Sequence, residues 1–121
     1  MNIINGIKSA VDEQNYNRCL EYLKSKGYEI YRGTELYYIE VDNDIKAVAG
    51  WHEDLGSMIE PLVSDNVGYT RTLGIFMTGF IKGKGYGHIT CKTNHEQWKN
   101  ILIELGFNVV NENTTILAKG I

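Results

Sequence analysis

Apolar side chains near the start of the chain recur at the spacing of helices. Two stripes have members three or four positions apart: Ile3, Ile4, Ile7, Ala10 and Val11, and then Tyr16, Cys19, Leu20 and Leu23. The polar stretch 12–15 separates them with residue types that cap helices, and Gly27 ends the second stripe. The pattern therefore predicts two short helices, preceded by a very short strand over residues 1–4.

Between residues 35 and 64 the pattern changes to the alternation of strands. Three stretches carry it, namely "ELYYIEVD" (35–42), "IKAVAGWH" (45–52) and "SMIEPLVS" (57–64). An Asn43–Asp44 turn and the turn "EDLG" connect them. Because tight turns join neighbouring strands that run in opposite directions, these residues predict an antiparallel meander. Residues 28–32 are interpreted as a further short strand or an extended lead-in.

Helical spacing returns at Leu73, Phe76, Met77 and Phe80, and this helix ends in the glycine-rich "KGKGYG". "HITCKT" then predicts a strand, and "NHEQWKNILIELGF" predicts a helix capped by Asn94. The stretches "FNVVNE" and "TTILAKGI" predict a hairpin around Asn113. The fold class is therefore α/β, with one mixed sheet: an antiparallel first half, a βαβ crossover, a C-terminal hairpin and helices on both faces.

Composition narrows the class of protein. A length of 121 residues fits a single domain over 1–121, and 43% hydrophobic residues can build its core. With 12 basic and 15 acidic residues the net charge is −3, which gives no electrostatic argument for nucleic-acid binding. No stretch approaches the roughly 18 apolar residues of a membrane span. We expect a cytoplasmic protein that binds neither a membrane nor a nucleic acid.

Three groups of residues of types that can bind metals or nucleic acids have ordinary structural interpretations in this sequence. Cys19 and Cys91 lie too far apart in sequence for a metal motif, and Cys19 falls on an apolar stripe, which favours a buried thiol. His88 and His95 have no partner at ligand spacing, so no metal is expected. The remaining basic cluster is read as a solvated helix end: Lys82, Lys84 and Lys92, with Tyr86 and His88.

The order of elements resembles that of the GNAT acetyltransferase superfamily over most of the chain. The most specific piece is "CKTNHEQWKNILIELGF", which is similar to that family's strand, Asn, helix and terminal Leu-Gly-Phe. The chain is rich in Ile, Asn, Lys and Tyr, a composition that suggests an AT-rich genome. In this composition and in its small size it also resembles small GNAT-like proteins of tailed phages. The resemblance implies acetyl-CoA bound between two splayed parallel strands. Its pyrophosphate would lie on backbone N–H groups of a glycine-rich loop at a helix start.

In this sequence the corresponding stretch is "VSDNVGYTRTLG". The resemblance implies cofactor contacts at Leu62, Val63, Gly68, Tyr69, Thr70, Arg71 and Asn94. The loop is shortened and lacks the family's leading Arg or Gln, and Asp65 adds a negative charge near the expected phosphates. Arg71 is alternatively a solvent-facing helix residue, and Asn94 has a sufficient role as a helix cap.

The catalytic positions implied by the resemblance are incomplete. The family's acid is a tyrosine four residues before the glycine of Leu-Gly-Phe, where this chain has Leu102, which has no proton to donate. Glu60 could act as a general base, or could be an exposed strand carboxylate. His52, followed by Glu53, is a second candidate base that could equally begin a polar turn.

Two functions from different classes follow. The first is a GNAT-fold protein with a degenerate acetyl-CoA loop that acts by binding an unknown protein partner, in virion or head assembly or against a host factor. The alternative is an active acetyl-CoA-dependent N-acetyltransferase on a small amine or a protein N-terminus. The sequence leaves self-association into a homo-oligomer open. A nucleic-acid-binding module would rest on the lysines near Tyr86 alone.

Overall fold

The structure is a computed structural model that describes residues 6–30, 33–92, 96–111 and 116–121. In these residues one seven-stranded sheet has helices packed against both of its faces. The strands are β1 (Ile7–Ser9), β2 (Glu35–Val41), β3 (Asp44–Trp51), β4 (Met58–Ser64), β5 (His88–Lys92), β6 (Asn108–Asn111) and β7 (Ile116–Gly120). The helices are α1 (Glu13–Ser25), α2 (Val67–Gly83) and α3 (Glu96–Glu104), with a 3₁₀ turn at Glu53–Leu55.

The strand order is β1-β2-β3-β4-β5-β7-β6. Strands β1 to β4 form an antiparallel meander, and β5 joins β4 in parallel after the crossover through α2. The C-terminal hairpin inserts β7 between β5 and β6, antiparallel to both. The predicted mixed α/β sheet is confirmed. None of the described helices is long and apolar enough to cross a membrane.

The N-terminal prediction of a helix over residues 3–11 is wrong where the structure describes that segment. Ile7 to Ser9 form strand β1, in register with Ile39 to Tyr37 of β2. Pairing with an open sheet edge outweighs a short helical spacing, because a helix of so few residues is marginal by itself. The strand expected over residues 1–4 lies outside the described residues. Helix α1 begins where the capping types predicted, since Asp12 Oδ1 accepts from the Asn15 N–H at 2.7 Å.

The turn between β2 and β3 lies one residue earlier than predicted. Val41 pairs with Asp44, so Asp42 and Asn43 form the turn, with φ of 52° and 68°. Two consecutive positive φ values are typical of the two-residue hairpin turn whose twist matches the strands, and Asp and Asn tolerate that conformation. Residues 28–30 are not in a strand. Asn94 and Asn113 lie outside the described residues.

Two hydrophobic cores lie on opposite faces of the sheet. On the α1 face, Cys19 and Leu23 of the helix pack against strand residues Leu36, Val48 and Val63. On the other face, which we call the α2 face, α2 and α3 cover the sheet with Leu73, Met77, Ile81 and Leu102. Burial raises the pKa of both cysteine thiols to about 12, so each is an inert apolar residue near neutral pH.

Candidate functional site

Strand β4 carries a bulge at its middle. Trp51 of β3 pairs with Ile59, whereas Ala49 pairs with Leu62, so β4 has one residue more than β3 over this interval. The extra length falls at Glu60 and Pro61, which are joined by a cis peptide bond. Opposite the bulge, a Cβ on Gly50 would stand 2.8 Å from the Glu60 carbonyl oxygen. A glycine is therefore required for β3 to approach the bulge this closely.

The parallel pairing of β4 with β5 in the described residues consists of Met58 with Thr90 and Ile59 with Cys91, and the described part of β5 ends at Lys92. On the other edge of β4, the Asp65 N–H donates to the Lys46 carbonyl at 2.8 Å. Because polar groups alternate along an antiparallel strand, the N–H and C=O groups of Leu62 and Ser64 point away from β3, towards the side of β4 on which β5 lies.

Leu62 and Val63, both predicted to contact the cofactor, therefore differ in orientation. Leu62 directs its backbone to the β5 side of the strand and packs its side chain against the α2-face core. Val63 directs its backbone to β3, and its side chain, 1% exposed, belongs to the α1-face core. Of the two, Leu62 alone directs its backbone polar groups to the β5 side.

Helix α2 begins three residues after the end of β4 and has a capped first turn. Asn66 Oδ1 accepts from the Tyr69 N–H at 3.0 Å, and the Asn66 carbonyl accepts from the Thr70 N–H at 3.3 Å. Gly68 is exposed at this turn, where its N–H and that of Val67 have no acceptor within the helix. The first turn thus presents two backbone donors with little side chain around them.

Thr70 is directed inwards. It is 1% exposed, and its hydroxyl bonds to the buried Ser64 hydroxyl, which donates to the Asn66 carbonyl at 2.6 Å. This network ties the end of β4 to the first turn of α2. A hydroxyl buried in this way supports the loop and is not available to a ligand on the surface.

Asp65 does not face the start of α2. Its carboxylate accepts from Tyr22 Oη at 2.8 Å and lies 3.2 Å from Lys26 Nζ and 3.9 Å from Lys46 Nζ. Although partial burial acts in the opposite direction, these hydrogen bonds and charges hold the pKa of Asp65 below its usual value. The expectation that Asp65 opposes an anion at this loop is corrected, because α1 and β3 bind and balance its charge.

Arg71 reaches α3. Its Nη2 donates to Glu104 Oε2 at 2.6 Å, and both side chains are largely exposed. An exposed ion pair contributes little to stability, about 0–1 kcal/mol, so Arg71 can exchange this partner for another anion at small cost.

Glu60 lines a cavity on the α1 face of the bulge. The cavity has a volume of about 270 Å³ and is lined by Glu29, Ile30, Leu55 and Glu60; we call it the Glu60 cavity. Among the described lining residues, the two carboxylates of Glu29 and Glu60 stand beside Ile30 and Leu55, and their negative charges favour a cation. His52 is not among the described lining residues. Its Nδ1 accepts from the Asp54 N–H at 3.0 Å, which makes it the cap of the 3₁₀ turn.

The remaining predicted positions have these outcomes. Leu102 is 2% exposed and belongs to the α2-face core, as its place on an apolar stripe indicated. Asn94 is outside the described residues. No group of three or more His, Cys, Asp or Glu in the described part of the chain could hold a metal ion.

Sequence reasoning missed three residues of the site. Glu29 follows the end of α1 and shares a cavity with Glu60 only through the tertiary fold, so no local pattern could have indicated it. Ser64 could have been found from strand alternation, because it shares the backbone orientation of Leu62. Asn66 could have been found from its capping type directly before the helix.

The sequence matches no protein-family model and no curated protein. Solved structures nevertheless match its fold. The ribosomal-protein-S18-alanine N-acetyltransferase of Escherichia coli has a TM-score of 0.69 and 10% identity, over 95% of this chain and 94% of its own. The aminoglycoside 6'-N-acetyltransferase of Enterococcus faecium has a TM-score of 0.63 and 11% identity, over 94% and 96%.

A third match is N-acetylglutamate synthase from Neisseria gonorrhoeae, solved with coenzyme A and N-acetyl-glutamate, with a TM-score of 0.68 and 17% identity. It covers 94% of this chain, which spans only 35% of the synthase. At such identities the likeness concerns architecture alone. The chain has the fold of the GCN5-related N-acetyltransferases, the GNAT fold.

Proposed function

We propose that this chain binds an acyl-CoA between β4 and β5 and transfers the acyl group to a primary amine. The observation that carries the proposal is the coincidence of two features at one bulge. Backbone groups of Leu62 and Ser64 point to the β5 side of β4, and the Glu60 cavity lies at the bulge itself. A cofactor and an acceptor could therefore approach β4 from different sides.

The residues at the end of β4 and the start of α2 fit the polar groups of acyl-CoA. Amide groups along its pantetheine arm would be held by the backbone N–H and C=O groups of Leu62 and Ser64, as an added strand is held by a sheet edge. Its pyrophosphate would be held by the N–H groups of Val67 and Gly68 at the start of α2, with Arg71 supplying charge. When bound, acyl-CoA supplies an acyl group activated as a thioester.

On the acceptor side, the two carboxylates have separate tasks. A primary amine arrives protonated near neutral pH and is attracted by Glu29 and Glu60. An ammonium has no lone pair, so a proton must leave before the nitrogen can attack a carbonyl. Glu60, at the bulge, is the group that would accept this proton, directly or through a water.

The transferase reaction also needs a proton for the departing thiolate of CoA. Leu102 is core, so this chain offers no donor at that position. General acid catalysis typically raises a reaction rate by about 10²–10⁴-fold. We therefore expect the chain to be a slow transferase.

The test combines binding and turnover. Acetyl-CoA titrated in a calorimeter should give heat of specific binding, and acetyl transfer to a panel of primary amines should release free thiol. Glu60→Gln should lower kcat by about 10²-fold while leaving the Kd for acetyl-CoA unchanged. Glu21→Gln, which removes an exposed carboxylate of α1, is the matched control. Equal kcat in both variants would exclude Glu60 as the base.

A second candidate is a GNAT-fold protein that acts by binding a protein partner without turnover, as a phage-encoded relative of the fold could do. It is favoured by Leu102 and by Asn66, whose side chain occupies a donor at the start of α2. Absence of acetyl-CoA binding at millimolar concentration, with a folded protein, would support this candidate over the first.

A further inference from the structure

The hydroxyl of Ser64, at the end of β4, is buried and has two polar partners. The residue is 6% exposed, and its Oγ donates to the Asn66 carbonyl at 2.6 Å and contacts the Thr70 hydroxyl. A hydroxyl has one proton, so with Ser64 donating to the carbonyl, the Thr70 hydroxyl donates to Ser64 Oγ. The transferase proposed above uses the backbone of Ser64 and gives this side chain no task.

The Asn66 carbonyl determines the direction of the Val67 N–H. The peptide bond between these two residues is trans, since the cis bond among the described residues joins Glu60 to Pro61. In a planar trans peptide, the C=O and the N–H point in opposite directions. A carbonyl held towards the buried Ser64 hydroxyl therefore directs the Val67 N–H outwards, beyond the start of α2, where the pyrophosphate is proposed to lie.

Among the described bonds to this carbonyl, the one from Ser64 is the shortest. The first backbone bond of α2, from the Thr70 N–H to the same oxygen, measures 3.3 Å, and the Thr70 hydroxyl also lies 3.3 Å away. Both distances exceed the usual lengths of N–H···O and O–H···O bonds, whereas the 2.6 Å from Ser64 does not. The orientation of this peptide therefore depends on Ser64 more than on the helix that follows.

Ser64 is itself held by the sheet. It pairs with Ala47 of β3, and the next N–H along the chain, that of Asp65, donates to the Lys46 carbonyl at 2.8 Å. Strand alternation directs the backbone groups of Ser64 to the β5 side, where the pantetheine arm is proposed to lie. One residue thus offers its backbone to the proposed arm and sets the direction of a pyrophosphate donor with its side chain.

We infer that Ser64 is a positioning residue for the cofactor: its hydroxyl fixes the Asn66 carbonyl and so points the Val67 N–H at the pyrophosphate. The hydroxyl itself does not touch the cofactor. This inference rests on the transferase proposed above and adds the side chain that orients one of its two backbone donors. Because hydrogen bonds to charged groups are roughly twice as strong as those between neutral groups, a misdirected donor weakens pyrophosphate binding markedly.

The experiment compares two acyl donors that share a thioester and a pantetheine arm. Acetyl-CoA carries the pyrophosphate, and acetyl-pantetheine lacks it. With one primary amine as acceptor, we expect Ser64→Ala to lower the ratio of kcat/KM for acetyl-CoA to that for acetyl-pantetheine by about tenfold, the effect of one charge-assisted hydrogen bond. A general loss of folded protein would lower both values and leave the ratio unchanged. A wild-type ratio in Ser64→Ala would overturn the inference.

Two further variants assign the effect to the hydroxyl. Ser64→Thr keeps the hydroxyl and should retain the wild-type ratio. Thr78→Val, the matched control, removes from a later turn of α2 a part-buried hydroxyl that donates to the Gly74 carbonyl at 2.7 Å, and should also retain the ratio. An equal fall of the ratio in Ser64→Ala and Thr78→Val would overturn the inference.

The Ser64→Ala variant is expected to fold. In it the Thr70 hydroxyl still has the Asn66 carbonyl 3.3 Å away, so this buried hydroxyl keeps an acceptor. Urea unfolding of Ser64→Ala beside Thr78→Val checks that both variants are folded before the two acyl donors are compared.

Inorganic pyrophosphate separates this inference from the transferase proposal. In proton–nitrogen correlation spectra, its addition should shift the amide resonances of Val67 and Gly68, and Ser64→Ala should weaken this binding by about tenfold. Such a result without acetyl transfer to any amine would refute the transferase and keep the role of Ser64. Acetyl transfer with a wild-type ratio in Ser64→Ala would refute the role of Ser64 and keep the transferase. Neither amide shift nor acetyl transfer would refute both.

Discussion

At the residue scale, Asp65 illustrates how one side chain determines what its loop can bind. It follows β4 directly, at the approach to the start of α2, yet its carboxylate is held by Tyr22, Lys26 and Lys46. Had it faced the other way, a negative charge would stand beside the backbone donors of Val67 and Gly68. The contacts made by α1 and β3 keep that helix start available to an anion.

The same contacts predict how Asp65 affects stability with pH. Its folded pKa lies below the ordinary 3.8, so its stabilising effect is complete above that pH and is lost as pH falls through the folded pKa. We expect the free energy of unfolding of Asp65→Asn, measured in urea, to lie about 0.5–1 kcal/mol below that of the wild-type chain at pH 6. Between pH 6 and pH 2.5 it should fall less steeply than that of the wild-type chain.

Asp44→Asn, at an exposed carboxylate that begins β3, serves as the control for Asp65→Asn and should retain the wild-type slope. If Asp65→Asn and the wild-type chain lost the same free energy of unfolding over this range, the contacts to Tyr22 and the two lysines would contribute nothing to stability.

Gly50 and Gly79 predict opposite signs for the same substitution. A Cβ at Gly50 would meet the Glu60 carbonyl and Pro61 Cδ, both at 2.8 Å, and the backbone of a paired strand has little freedom to move. Gly50→Ala should lower the free energy of unfolding by about 1–3 kcal/mol. Gly79 lies in α2 with nothing within 4 Å of its Cβ position, so Gly79→Ala should raise it by about 0.5–1 kcal/mol.

Thermal or urea unfolding of the two alanine variants provides the measurement. Because Gly50 packs against the Glu60 carbonyl at the bulge that carries the proposed base, its variant should also lose amine turnover, whereas Gly79→Ala should keep it. A stable Gly50→Ala chain would mean that the bulge relaxes and that the close approach of β3 and β4 is not required.

At the element scale, local patterns were sufficient wherever an element is long and buried on one face. Strands β2, β3 and β4 and helix α2 follow their predicted stretches closely, because alternation and helical spacing report directly which side chains are buried. Strand β1 could not be predicted, since three residues at a sheet edge carry too little pattern and depend on β2 for their conformation.

The candidate site was predictable to a similar depth. The loop after β4 and the position of Glu60 follow from the order of elements. The orientations of Asp65, Thr70 and Arg71 do not, because each is decided by a partner distant in sequence or in another element: Tyr22, Ser64 and Glu104. Sequence spacing gives the position of a residue along its element, whereas the partner of its side chain depends on packing between elements.

Helix caps give a prediction at this scale. Asn66 and Asp12 cap α2 and α1 in the same manner, through a side-chain oxygen that accepts from a backbone N–H three residues later. Asn66→Ala and Asp12→Ala should each lower the free energy of unfolding by about 1 kcal/mol, measured in urea. The Kd for acetyl-CoA should change in Asn66→Ala alone, because that cap shares its helix start with the proposed pyrophosphate. A change of Kd in Asp12→Ala as well would place the cofactor elsewhere.

At the scale of the whole molecule, the sheet separates two cores, and the site lies where the sheet is interrupted. The bulge on β4 presents Glu60 to the α1 face, and strand alternation directs the backbone of Leu62 to the β5 side. The Glu60 cavity, proposed for the acceptor, adjoins the α1 face, whereas the start of α2 belongs to the opposite one. Acceptor and cofactor would therefore reach one strand from its two sides, which requires the two faces to keep their relative position.

This requirement predicts that the two cores unfold together. Leu23→Ala on the α1 face and Met77→Ala on the α2 face each empty a fully buried position and should each lower the free energy of unfolding by about 2–5 kcal/mol. Because both cores share one continuous sheet, we expect a single transition in which tryptophan fluorescence and far-ultraviolet circular dichroism coincide in both variants. Trp51 lies in the α2-face core, so its fluorescence reports on that core. If the α1-face core unfolded separately, Leu23→Ala would lose helical circular dichroism before its tryptophan fluorescence changed. Such separated transitions would mean that the acceptor side of β4 can loosen while the cofactor side stays folded.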